Sequence, residues 1–272
     1  MQINANSSSQ PQEQPQRGAR ALRQFAPVLG VLLILTLWQI VTLLRIYPNF
    51  IIPTPISVIE RWVEVARDGR LWLNTWTTLL EILSGLGIGL LIGVLVGTLM
   101  AKSRVLEDIL SPIILAFQST PVVAYAPLLV IWFGTDIRSK IITCVLIVFF
   151  PMLLNTIVGI RSVPSSLRDV MRSLRATRWQ MFTRLEVPAA LPVLFGGLKV
   201  SAVLAVIGAV VGEFVSGSAG LGYLLNRAKS DYDTPLVFVA IFMLALIARL
   251  MYGVISLLER RALGWQMRGK RE

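Results

Sequence analysis

The sequence predicts an all-α protein built into a membrane, and three observations carry that reading. Of its 272 residues, 55% are hydrophobic and only 15% charged, where soluble domains carry about 25% charged residues. Apolar runs of about twenty residues recur along nearly the whole chain, each long enough as a helix to cross a hydrocarbon core of roughly 30 Å. The basic residues gather in the segments between those runs. The formal net charge of +11 does not point to nucleic acid, because the charge is distributed around membrane-length segments. Six spans are expected, at 25–44, 78–101, 109–134, 140–160, 190–212 and 236–258.

Residues 1–24, rich in Gln, Ser, Asn and Pro, read as a disordered tail. The run that follows is too long for a signal-peptide core and lacks a small-residue cleavage site, so an uncleaved anchor is expected. Ile56, Val58, Ile59, Trp62, Val63 and Val65, interleaved with Glu60, Arg61, Glu64 and Arg67, predict an amphipathic helix at the membrane interface. The second span carries Gly85, Gly89, Gly93 and Gly97, and the fifth carries Gly197, Ser201, Ala205 and Ala209, all at intervals of four. Such stripes let helix backbones approach closely in lipid; they serve packing or, less simply, contact with a ligand. In the third span Gln118, Ser119 and Thr120 precede Pro121. The trio either lines a pathway or marks an ordinary proline kink.

If the N-terminus is cytoplasmic, sixteen Lys and Arg residues lie in inner segments and eight in outer ones. That bias places both termini inside. The transmembrane body then covers 25–260, with a cytoplasmic loop at 161–189 and a basic cytoplasmic tail at 261–272. The chain has no histidine and one cysteine, Cys144, so the commonest general base and an internal disulfide are both excluded. No metal cluster or nucleophile–base pair stands out, which argues against an enzyme. A match to Gly-x4-Gly-Lys at 264–270 lacks the following Ser or Thr and is no phosphate loop. Of the ionisable residues in or near spans, Lys199 and Arg249 are expected to snorkel, and Glu81 to sit at a helix start. Glu213, followed by Ser216 and the flexible stretch 217–222, is the candidate for an outer gate or substrate path.

The loop has a pattern of its own. Leu167, Val170, Met171 and Leu174 follow helical spacing, with Arg168, Arg172 and Arg175 on the other side. Thr177 and Gln180 form a capping box that opens a second short helix with Met181, Phe182 and Leu185. Two basic amphipathic helices fit equally well on anionic lipid or on a soluble partner.

The segment 169–188 resembles the cytoplasmic motif of binding-protein-dependent ABC importer permeases. Asp169-Val170-Met171 stand at its acidic triplet, Arg175 followed by Ala176 at its glycine turn, and Leu185, Val187 and Pro188 at its end. "PVVAYAPLLVIWFG" at 121–134 and "GEFVSGSAGLGYLL" at 212–225 are similar to the nitrate/sulfonate/taurine-type subgroup, which includes permeases for vitamins and vitamin precursors. The resemblance covers about residues 70–265. It implies a type I importer membrane domain in the cell inner membrane. It implies as partners a second permease copy, two ATPase subunits that use ATP and Mg, and an extracytoplasmic binding protein. It also implies that 161–189 is a coupling helix, with Met181, Phe182 and Leu185 as apolar anchors and Asp169 orienting the loop. Arg175 departs from the pattern, so the turn there is either right-handed or strained. The implied cargo is a riboflavin- or thiamine-pyrimidine-like solute, with sulfonate, taurine, nitrate or bicarbonate as the alternative. The rival outside this class is an ion-coupled secondary transporter, which favours paired acids deep in the bundle.

Overall fold

The computed structural model describes residues 17–44, 47–48 and 50–264, with the side chains of 17–25 and 27 left out. Most of the expected terminal tails, and the residues of the false phosphate-loop match beyond 264, therefore lie outside the described residues. Among the described residues every regular element is helical. Two compact units divide at residue 56.

The first unit is α1, Arg17–Leu43, and the turn that follows it. The helix starts within the stretch expected as a disordered tail, so 17–24 is helical. Its Ala, Leu, Arg and Gln residues are good helix formers. Trp38 Nε1 donates to Pro53 O at 3.0 Å.

The second unit holds α2 (Pro55–Arg67), α3 (Arg70–Lys102), α4 (Arg104–Ser119), α5 (Val122–Phe133), α6 (Ile137–Arg161), α7 (Ser165–Ser173), α8 (Arg178–Met181), α9 (Val187–Ser216), α10 (Leu221–Ser230) and α11 (Thr234–Ala262). A π-helical turn, Phe182–Glu186, fuses α8 to α9. Four helices are long and apolar enough to cross a membrane: α3, α6, the fused Arg178–Ser216 and α11. The expected third span is instead two helices, α4 and α5, bent by 98°. Thr120 at the joint is extended (φ −92°, ψ 127°), because a residue before proline is driven out of the α region.

The second span begins eight residues earlier than hydropathy suggests, since α3 takes in the polar stretch Asn74–Thr78. The interfacial helix forms as α2, but it is anchored: Val58 and Val65 are buried while Ile56 and Ile59 stay exposed. Arg61 Nε reaches Asp233 at 2.8 Å, next to the start of α11.

The centre of the unit is α6, flanked by the two small-residue stripes. On α3, a Cβ added to Gly89 or Gly93 would stand 3.0 Å from atoms of α6, and one at Gly97 only 2.7 Å from Leu153 O. On α9, Gly197 abuts Asn155, and Gly208 lies against Cys144; Ser201, Ala205 and Ala209 are fully buried. Side chains and carbonyls of α6 therefore lie directly against glycine backbone at both interfaces, which sets their close spacing. A pair of substitutions on one helix separates this from plain helix propensity. Gly97→Ala is expected to lose roughly 1–3 kcal/mol through overpacking. Gly87→Ala, which meets nothing within 4 Å, is expected to be neutral or to gain up to about 1 kcal/mol. Thermal unfolding of the two purified variants in detergent checks the contrast.

Candidate functional site

Three places on this frame concentrate polar chemistry: the loop at one end of the bundle, the bend in its flank, and a buried cluster at the other end.

The loop leaves α6 at Arg161, whose guanidinium grips Glu107 of α4 at 2.7 and 2.6 Å. Helix α7 ends in a Schellman motif: Ala176 N donates to Met171 O (3.0 Å) and Arg175 N to Arg172 O (2.8 Å). That geometry needs a left-handed residue, and Arg175 supplies it with φ +55°. The turn is thus the left-handed one, and Arg175 carries the strain. Arg175→Gly removes a cost of about 1–2 kcal/mol in the folded state but adds roughly 0.4–1 kcal/mol of unfolded-chain entropy. A small net gain is expected, read as a rise in thermal midpoint. The capping box forms completely: Gln180 N donates to Thr177 Oγ1 (3.2 Å) and Thr177 N to Gln180 Oε1 (2.8 Å).

The loop side chains divide into two sets. Asp169 is exposed and paired with Arg172 at 3.1 Å, and Ala176 is half-buried. Met181, Phe182, Leu185 and Pro188 are also half-buried, and the Lys102 ammonium of α3 sits 4.0 Å above the Phe182 ring. The side chains left outward are Leu167, Val170, Leu174 and Trp179, at 47%, 56%, 72% and 70% exposure. Trp179 was not singled out from the sequence. Its position directly after the N-cap pair Thr177-Arg178, on the outer face of a one-turn helix, was the available signal. Glu186 was also missed. It is buried, with Lys102 at 3.1 Å and Arg168 at 4.0 Å, and it sits in the π-helical turn, a feature frequent at functional positions.

At the bend, Gln118 and Ser119 are exposed and Thr120 is half-exposed. Both hydroxyls donate to Ala116 O, at 2.9 and 3.1 Å. Gln118, Ser111 and the Arg161-paired Glu107 line a cavity of about 270 Å³ between α4 and α6, whose other walls are apolar, among them Met100, Ile114, Leu154 and Ile157. Such a lining suits an apolar or aromatic face with one or two hydrogen bonds.

At the far end Glu213 is 1% exposed. Its carboxylate accepts from Thr78 Oγ1 at 2.6 Å, from Tyr223 N at 3.2 Å and from Gly222 N. Asn74 Oδ1 accepts from Gly220 N at 2.8 Å, and Thr78 Oγ1 from Leu221 N at 2.7 Å. The N-terminus of α10 is therefore held by α3 and α9 together, a negative group against a helix start. Gly220, at φ +118°, has the Glu213 carboxyl where a side chain would be, so only glycine fits there. Ser216 is half-buried one turn beyond Glu213. Glu81, expected at a helix start, is instead the twelfth residue of α3 and fully buried, with Lys140 of the first turn of α6 3.8 Å away. Lys199 does not simply snorkel but pairs with Glu259 of α11. Just outside the spans, Arg70 donates to Asp68 through its side chain and its backbone N–H (2.6 and 2.9 Å). This holds that exposed carboxyl below the usual carboxylate range.

Residues 89–264 match the family model described as the binding-protein-dependent transport system inner membrane component. The riboflavin transport system permease protein of Chloroflexus aurantiacus is 47% identical over 252 residues, covering 91% of this chain and 94% of the relative. The formylaminopyrimidine transport permease protein of Halalkalibacterium halodurans is 34% identical over 247 residues, covering 91% and 98%. In fold, the chain resembles a solved inward-facing methionine ABC transporter at a TM-score of 0.64 and 20% identity, over 71% of this chain and 97% of that one.

Proposed function

The chain belongs to the family of binding-protein-dependent transport system inner membrane components, and from that membership we propose how it works and what it carries. It is the permease subunit of an ABC importer, a multi-pass protein of the inner membrane, and not itself an enzyme. The secondary-transporter rival gives way to this membership, although Glu81 and Glu213 do lie together in the bundle.

In our reading the permease body spans 25–260 and pairs with a second copy. Two ATPase subunits that consume ATP and Mg dock on the loop 161–189, and a binding protein delivers solute at the α10 end. Closure of the ATPases draws the loops together and opens the spans outward. The observation supporting the docking role is the outward apolar face of Leu167, Val170, Leu174 and Trp179 on a loop joining two central spans. Asp169, Arg175 and Ala176 shape that loop, while Met181, Phe182, Leu185 and Pro188 seat it against the bundle.

The cargo is a heteroaromatic vitamin or vitamin precursor, riboflavin or a thiamine pyrimidine. The observation that carries this is the 47% identity, over nearly the whole of both chains, to a riboflavin permease. The mainly apolar groove lined by Gln118 agrees with a flat, largely uncharged solute; Ser119 and Thr120 follow Gln118 in the chain at the bend. Glu213 acts by holding α10 at the outer end, and Ser216, whose buried hydroxyl has no hydrogen-bond partner among the described residues, lies one turn beyond it at the same end. The experiment is titration of the binding protein encoded beside this chain with riboflavin, formylaminopyrimidine, taurine and nitrate. Tight binding of a heteroaromatic compound is expected. Exclusive binding of taurine, a sulfonate or a small inorganic anion would move the assignment to the alternative cargo.

A further inference from the structure

Resting on the docking role just proposed for the loop, we propose that α3 is the connecting rod of the importer, and that Glu186 is the positioning residue that joins it to the loop. The loop is covalently continuous with α6 and, through the π-helical turn, with α9; it has no chain connection to α3. Two side-chain contacts tie α3 to it: at the α6 end of the loop Arg161 donates to Met100 O at 3.2 Å, and at the α9 end a charged junction forms around Glu186. Lys102, the last residue of α3, places its ammonium 3.1 Å from the Glu186 carboxylate and 4.0 Å above the Phe182 ring. Arg168 of α7 approaches the other oxygen of Glu186 at 4.0 Å and donates to Ile160 O of α6 at 2.8 Å. One buried carboxylate thus gathers α3, α7 and the π-helical turn. A π turn inside a continuous helix aims a side chain that regular α spacing would point elsewhere.

The rod itself follows from sequence. Helix α3 has 33 residues and no proline, and at 1.5 Å per residue it spans about 50 Å. By contrast, α4, α5, α6 and α9 each contain an internal proline. Its glycine stripe receives the side chains of Val148, Met152 and Thr156 of α6 in close contact, so the two helices are tightly packed along that face. At its opposite end Asn74 and Thr78 accept from Gly220 N and Leu221 N of the α10 N-terminus. A pull on Glu186 at the loop is therefore delivered, through one stiff element, to the segment that closes the outer end. A contiguous element joined at both ends is one physical route for coupling over such a distance, and α3 has an ion pair at one end and two hydrogen bonds at the other.

The test uses the full complex with its ATPase in lipid nanodiscs and needs no knowledge of the cargo. Leu73→Cys near the outer end of α3 reports by maleimide labelling; the native thiol, Cys144, is buried. In the otherwise unaltered chain, ATP with vanadate is expected to change the labelling rate on the order of ten-fold, within the usual range of allosteric coupling. Glu186→Gln and Lys102→Gln are each expected to bring that change close to one while the ATPase still copurifies. The double variant is expected to be no worse than either alone, as for two residues that act as one joint. A full ATP response in Glu186→Gln overturns the proposal. So does additive loss in the double variant, or loss of ATPase binding in Glu186→Gln, which would make Glu186 a docking residue. Failure of the ATPase to copurify with the unaltered chain removes the docking reading itself, and the rod with it.

Discussion

Glu213→Ala is expected to cost about 3–5 kcal/mol, the scale for leaving buried charged-group partners without their counterpart. The carboxylate is the acceptor for three donors, Thr78 Oγ1, Gly222 N and Tyr223 N, none of which has water to turn to at 1% exposure. Each donor stranded in that setting costs roughly 1–3 kcal/mol, and the removed side chain leaves a void besides. Glu213→Gln keeps the shape but presents an NH2 group to donors, so it is expected to fall between the parent and alanine. Thr78→Val is the comparison from the other helix: it removes the acceptor of Leu221 N and one donor to Glu213, at about 1–3 kcal/mol. Thermal midpoints in detergent, with protease cleavage within 217–222 as a local probe, give the order Thr78→Val, Glu213→Gln, Glu213→Ala. If cleavage at 217–222 rises in Glu213→Ala without a fall in midpoint, Glu213 holds only α10 and contributes little to the bundle.

How much of this could be read from the chain depends on the distance over which each feature is specified. Spans are local: α6, α9 and α11 fall within a few residues of their expected positions because hydropathy alone sets them. The capping box at Thr177 is more local still and forms as expected. The expected span begins at Thr78 and leaves Asn74 outside it, because the polar stretch before Thr78 looks like outer loop. They are helical and buried because Gly220 and Leu221, 146 and 143 residues away, offer them backbone N–H groups, and no window along the sequence contains that fact. Glu81, expected at a helix start, is buried for a similar reason, its partner Lys140 lying on another helix. At Arg175 the sequence allowed two turns. The choice depends on whether Ala176 N finds Met171 O, a matter of how α7 ends against its neighbours. Proline at 121 signalled a break in the third span; the size of the bend, 98°, is set by packing on both sides.

The second large effect is expected at the face of the loop that the bundle leaves uncovered. Leu174→Asp and Trp179→Asp are each expected to abolish copurification of the ATPase, a loss of more than about 2 kcal/mol per site and hence beyond roughly 30-fold in affinity. The physical reason is position. Leu174 is 72% and Trp179 70% exposed, so a carboxylate at either costs the free permease little and acts on the contact alone. Tryptophan is among the residues that most often dominate such contacts. Phe182→Asp differs, because Phe182 lies half-buried under Lys102. It is expected to lower the thermal midpoint as well as binding, which the two surface variants leave unchanged. Arg172→Ala is the counterpart from the charged side: exposed and already paired with Asp169 at 3.1 Å, it is expected to alter affinity by less than about 1 kcal/mol. The same set decides between a protein and a lipid beneath the loop. On a bilayer surface the arginines carry much of the attraction, about 1 kcal/mol each near anionic headgroups. Removing Arg172 would then matter as much as removing Trp179, and the ATPase would copurify with both.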